Sequence, residues 1–431
     1  MRNGIVKRLL LTLALLLTLV ACRLTATPLP VPDDALVVIN GMVIDGTGAD
    51  PIPDGVVVIQ GDRVVAVGRA ADFAIPAEVD AIDAAGGTIM PGIINSHVHS
   101  ARSPETRRIF LTAGVTAVCD LGTQLFTISH FEKERTPSGP AARGFRAGPI
   151  ITAPGGYPVP RDGDSISYEV STPDEARTAT VDLLERGVDV IKIAIDPGNP
   201  QEPWPMLNLE QVQAIVEEAH ARNVLVRAHV QKAAVLDIVL GSGVDVIEHV
   251  PLPPSCWEPS FWETKTQSLP EDSGHVTLSP QLESQLTRLI EQGVIMVPTI
   301  DALVAGWYSA PDLTSAQQSW VDYTLEIVRR FHDLGGTVAL GNDFGNPGVE
   351  VGMPMREMEL LLEAGLTPME VIEAGTSRAA GVCGHGDELG TLEPGKLADV
   401  IIVDGDPLMD IGVMERVTVV IKGGEVAYTS E

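Results

Sequence analysis

His97 and His99 stand one residue apart at the end of an apolar run, Thr88-Ile89-Met90-Pro91-Gly92-Ile93-Ile94-Asn95-Ser96-His97-Val98-His99-Ser100. Side chains alternate faces along a strand, so positions i and i+2 point the same way. The pair therefore aims two imidazoles at one volume, and imidazole is a common ligand for divalent transition metals. His229 and His249 end two further apolar runs, and Asp343 ends a third within Leu340-Gly341-Asn342-Asp343. Lys192 lies inside Val190-Ile191-Lys192-Ile193-Ala194, where its amine must lose hydration or find compensation. It can be a snorkelling structural lysine, or a Schiff-base nucleophile with a lowered pKa. The reading favoured here is a neutral amine that adds carbon dioxide. The resulting carbamate is an anion whose two oxygens can bridge two cations. One such histidine alone reads as a satisfied core residue, and the aspartate alone as an N-cap. Six at matching strand ends read as a metal site.

The elements that must position these residues alternate between apolar strands and helices. Strand candidates are 88–97, 115–120, 149–153, 188–194, 224–229, 244–249, 294–299 and 337–343, with helices over 173–186, 208–221, 279–292 and 315–334. Eight strands in this alternation predict a (β/α)8 TIM-type barrel, with chemistry at the C-terminal strand ends. The flanks, 35–90 and 388–431, read as short strands with turns, including a hairpin about Gly61-Asp62. Neither flank can build a core alone, so the two together predict a small β-sandwich made from both termini. The resulting division is 35–90 sandwich, 91–387 barrel and 388–431 sandwich. The stretch 252–279 is a long irregular insertion after the sixth strand, of the kind that covers or shapes a site.

Arg2, Lys7 and Arg8 precede the apolar segment 9–20, too short for a stable bilayer span and suited to a signal peptide over residues 1–21. Leu19-Val20-Ala21-Cys22 resembles a bacterial lipobox, which implies cleavage before Cys22 and lipid attachment there. The Thr- and Pro-rich residues 22–34 would then be a tether from a membrane of the cell envelope. The 431-residue chain has 29 Lys and Arg against 58 Asp and Glu, a net charge of −29. Such a charge argues against nucleic-acid partners and against electrostatic docking on anionic lipid, leaving an acyl anchor as the membrane contact. Cys119, Cys256 and Cys383 form no disulfide framework and no C-x-x-C zinc motif.

The run Pro91 to His99, the segment Pro154-Gly155-Gly156-Tyr157-Pro158 and the segment Glu393-Pro394-Gly395-Lys396-Leu397-Ala398-Asp399 together resemble the amidohydrolase superfamily, in its imidazolonepropionase-like and prolidase-like branch. The resemblance covers roughly residues 35–431. It implies that His97 and His99 bind a buried metal with Asp343, that His229 and His249 bind a more exposed one, and that carboxylated Lys192 bridges the two, zinc being the default ion. It further implies hydrolysis of an amide, cyclic amide or peptide-like C–N bond by a metal-bridged hydroxide, with Asp343 moving the proton. Tyr157, His130, Lys232, Arg161 and Trp257 are candidate contacts for a small-molecule substrate, and a homo-oligomer is compatible with the sequence. A non-catalytic, metal-containing, surface-anchored binding lipoprotein is the alternative. Prolidase-like relatives often carry an aromatic residue shortly after the fifth-strand histidine; His229-Val230-Gln231-Lys232 departs from that pattern and puts dipeptide specificity in doubt.

Overall fold

A computed structural model describes residues 28–128, 139–199, 202–253, 276–308 and 313–430. The proposed signal peptide, Cys22, His130, Cys256 and Trp257 lie outside the described residues, as do tether residues 23–27 and most of the insertion. No helix among the described residues is long and apolar enough to cross a membrane.

The fold is a TIM-type barrel joined to a β-sandwich. The sandwich sheet runs Glu425–Thr429, Val417–Lys422, Val400–Val403, Thr88–Pro91, Leu36–Val43, Ile52–Gln60 and Arg63–Arg69, with Asp80–Asp83 also pairing to Leu36–Val43. Strands from both ends of the chain meet where Thr88–Pro91 pairs antiparallel with Val400–Val403. The predicted hairpin forms, with Gln60 opposite Arg63 across Gly61-Asp62. Its turn is tied to the C-terminal segment by Ala398 N–H donating to Asp62 O and Arg63 donating to Gly395 O. Alternating side chains feed two separate apolar clusters, one around Val38, Val57 and Ile402, the other around Val37, Val56 and Val58. This alternation is what a half-buried strand requires.

The run expected as one strand over 88–97 divides at Gly92. Thr88–Pro91 belongs to the sandwich, and Ile93–Val98 is the first barrel strand. The barrel continues through Val115–Asp120, Arg143–Arg146 with Ile150–Thr152, Ile191–Ala194, Val226–His229, Val246–Glu248 and Ile295–Val297, all in parallel pairing. The third strand is thus in two pieces. Its first piece, Arg143–Arg146, pairs with the second strand, and its second piece with the fourth.

The eighth strand lacks a regular ladder. It closes the barrel through bridges Met296–Val338 and Val98–Phe344, and through Asp343 N–H donating to His97 O at 2.9 Å. The irregularity has a steric basis. A Cβ on Gly341 would lie 2.6 Å from His97 Cβ, and Gly345, at φ +114°, would place one 2.9 Å from His99 Cβ. Glycine at both positions lets the backbone come up against the two histidines. The surrounding helices Pro173–Glu185, Leu209–His220, Pro280–Glu291 and Ser315–Asp333 start at Thr172, Asn208, Ser279 and Thr314, whose side chains accept a backbone N–H of the first turn.

Candidate metal centre

The i, i+2 spacing on the first strand brings His97 Nε2 and His99 Nε2 to 3.3 and 3.2 Å from the same atom, Asp343 Oδ1. His249 Nδ1 lies 3.9 Å from Asp343 Oδ2. The His97 and His249 ring centroids are 5.1 Å apart, and those of His229 and His249 4.5 Å. Lys192 is buried on the fourth strand. Metal-ligating atoms of His97, His249 and Asp343 lie within 4.8 Å of one another. His249, Thr299 and Asp343, at the ends of strands six, seven and eight, all have positive φ, at 69°, 48° and 57°. Non-glycine residues rarely hold this conformation unless their surroundings impose it.

Three buried polar atoms in this group have no hydrogen-bond partner: His97 Nε2, Lys192 Nζ and Asp343 Oδ1. Orphaned donors and acceptors are rare inside proteins. Two nitrogens and a carboxylate oxygen without partners form a donor set that suits a divalent ion of the zinc type. Electrostatics fit as well. Burial pushes His97 down to about 4, Lys192 adding to it. Burial also lowers His229, and burial with the neighbouring His229 holds His249 well below its usual value. These rings are neutral at pH 7, as metal ligation requires. For His99, burial opposes protonation, but the close contact and charge of Asp343 and the charge of Asp120 outweigh it and raise the pKa. Burial also disfavours the Asp343 carboxylate, yet His97, His99 and His249 together hold its pKa well below the ordinary range. Burial, reinforced by Arg227, lowers Lys192 to about 8, which increases the share of neutral amine.

Residues behind the cluster orient it. Glu248 Oε2 lies 2.7 Å from His97 Nδ1, and its Oε1 accepts from Arg227 Nε at 2.6 Å, all three side chains fully enclosed. Asp196 Oδ2 is 3.2 Å from His229 Nε2, and Thr299 Oγ1 is 2.7 Å from His249 Nδ1. Sequence reasoning missed Glu248, Asp196, Arg227 and Thr299. The signal that singled out Lys192, a polar residue in an apolar run, was present at Arg227 and Glu248 too.

Three of the other candidates lie beside the cluster. Tyr157 stacks on His229 with centroids 4.1 Å apart. Lys232 is buried and donates to Asp196 Oδ1 at 2.6 Å, so it faces a carboxylate beside His229. Arg161 lines a cleft of about 240 Å³ together with His99, Tyr157 and Asn346. Cys119 is a buried thiol 3.7 Å from Arg227 Nη1.

Comparison with known proteins agrees with this architecture. An Xaa-Pro dipeptidase solved with methionine in its active site superposes with a TM-score of 0.72 at 25% identity, over 92% of this chain and all of the other. The ochratoxinase of Aspergillus niger is 30% identical over 268 residues, 58% of this chain and 49% of the relative. The imidazolonepropionase of Symbiobacterium thermophilum is 46% identical over 77 residues, 17% of this chain and 18% of the relative. The aligned stretch thus spans about half the length of the ochratoxinase and less of the imidazolonepropionase. The model of the amidohydrolase family matches residues 88–427, and the chain belongs to that family.

Proposed function

We propose that this protein is a binuclear metal-dependent hydrolase cleaving an amide, cyclic amide or peptide-like C–N bond of a small molecule. The observation that carries the reading is the group of buried, unpartnered atoms, His97 Nε2, Lys192 Nζ and Asp343 Oδ1, close to His99, which lines an open cleft. The likeness to an ochratoxinase and an Xaa-Pro dipeptidase supports the bond class. His97, His99 and Asp343 would hold one ion and His229 and His249 the other, with Lys192 as its carbamate between them. When bound, such ions, most simply zinc, activate water and polarise a carbonyl.

The protein's own groups supply the rest. Asp343 is ionised at neutral pH, and its second oxygen can take the proton of the attacking water and return it to the leaving nitrogen. Its contacts with two imidazoles and its left-handed backbone hold that carboxylate in place. Tyr157 covers one face of His229 and shields it from solvent. Arg161, on the cleft wall, offers a cation to an acidic part of the substrate. The residues 1–22 support export and a lipid anchor at Cys22.

The test is hydrolysis of a panel of dipeptides, N-acyl amino acids, cyclic amides and lactones before and after chelation, with zinc or manganese added back. Activity should vanish on chelation and return with metal, with about two ions per chain. Asp343→Asn should cut turnover about 10²- to 10⁴-fold at saturating metal. A folded, metal-loaded protein inert across the panel would point instead to a surface-anchored binding protein.

A further inference from the structure

Arg227, Glu248 and His97 form a continuous buried line running from the barrel interior to the candidate metal centre. Arg227 Nε is 2.6 Å from Glu248 Oε1, Glu248 Oε2 is 2.7 Å from His97 Nδ1, and His97 Nε2 at the far side of the ring is unpartnered. All three side chains are excluded from solvent. We propose that Arg227 and Glu248 are positioning residues that fix the tautomer of His97, so that Nδ1 carries the hydrogen and Nε2 presents its lone pair. The inference rests on the metal-centre reading above and adds residues that act on it without touching the ion.

The argument is one of donors and acceptors. A guanidinium only donates, and a carboxylate facing it only accepts. Glu248 engaged by Arg227 therefore has acceptor capacity alone for His97, and the only bond His97 can make is Nδ1–H to oxygen. In Glu248→Gln the amide has one oxygen and one NH2. Arg227 still donates, so the oxygen turns to it and the NH2 turns to Nδ1. His97 must then accept at Nδ1 and carry its hydrogen on Nε2, which removes the lone pair from the metal side. Removing the guanidinium as well frees the amide to turn over and restore the ligating tautomer.

The experiment is zinc affinity of the full chain by competition with a chromophoric chelator, without any substrate. Glu248→Gln should weaken zinc binding about 10- to 100-fold, the range for lost partners of ligating histidines. The double variant Arg227→Met/Glu248→Gln should bind more tightly than Glu248→Gln. A merely structural salt bridge predicts no such recovery. Because Glu248→Gln leaves Arg227 buried without its counter-charge, folding is safeguarded by a second pair: Arg227→Met/Glu248→Gln against Arg227→Met/Glu248→Met. Both lack the charges, but only the first can accept from Nδ1, and it should bind zinc about tenfold more tightly. Equal affinity in that pair, or wild-type affinity in Glu248→Gln, overturns the proposal and leaves the metal centre standing. A wild type that binds no zinc overturns the metal centre itself.

Discussion

Replacing Lys192 by methionine should abolish two-ion binding and, in the same protein, strengthen the metal-free fold. Lys192 is buried on the fourth barrel strand and its amine has no hydrogen-bond partner. Burial brings its pKa down to about 8 from 10.5. The unfolded chain therefore holds that proton more tightly than the folded one, and the gap corresponds to about 3 kcal/mol against folding at pH 7. The sign follows directly: the penalty is full below pH 8, shrinks as pH rises, and is gone above 10.5. Methionine matches the length and carries no charge, so Lys192→Met should gain up to about 3 kcal/mol at pH 7. The same lowering leaves about one amine in ten neutral at pH 7, ready to take up carbon dioxide. The assay is denaturant unfolding of chelator-stripped proteins at pH 7, paired with metal analysis after zinc and bicarbonate loading. A stripped variant less stable than stripped wild type, or one that still loads two ions, would refute the reasoning.

The stability that neutral His97 lends the stripped protein should fall as pH drops from 6.5 toward 4. Its folded pKa of about 4 favours the neutral ring, so the unfolded chain binds more protons there in that window, as at His229 and His249, whereas His99, Asp120 and Glu357, all raised, pull the whole-protein profile the other way. Thermal melts of stripped wild type and His97→Gln across pH 4–7 isolate it: the wild type should lose ground to the variant as pH falls, and a difference that stays constant or moves the other way would contradict the neutral-imidazole assignment. Tyr157→Phe should leave zinc affinity and kcat within about threefold, whereas Tyr157→Ala should lose about tenfold in kcat/KM, because the stacked ring and not the hydroxyl covers His229. Arg161→Ala should raise KM about tenfold for an acidic substrate and leave metal stoichiometry unchanged, since Arg161 lines the cleft and is not one of the proposed metal ligands.

What could be read in advance was what depends on local pattern. The i, i+2 histidines, the lysine in an apolar strand and the Gly61-Asp62 turn are short-range signals, and the structure holds each where the pattern implied. Pairings over long separations could not be read. Arg143–Arg146 does not look like a barrel strand, because it carries two buried arginines, of which Arg143 is compensated by Asp399, 256 residues away. Asp196 looks like an ordinary acidic residue until the fold sets it against His229, and Glu248, though conspicuous in an apolar run, does not show its partner His97, 151 residues away. The eighth strand kept its position and lost its ladder, because Gly341 and the left-handed Asp343 trade regular pairing for close approach to the first strand.

The bidentate contact of Arg143 with Asp399, joined by Gly423 N–H on the same carboxylate and by Lys422 reaching Ala141 O, fastens the terminal sheet to the barrel at the strand starts. The histidines stand at the strand finishes. Each rim of the barrel therefore has its own duty, one as foundation and the other as workbench. The segment 154–166 can be rewritten for a new client molecule without disturbing the footing, which makes it the natural place to begin retooling this scaffold.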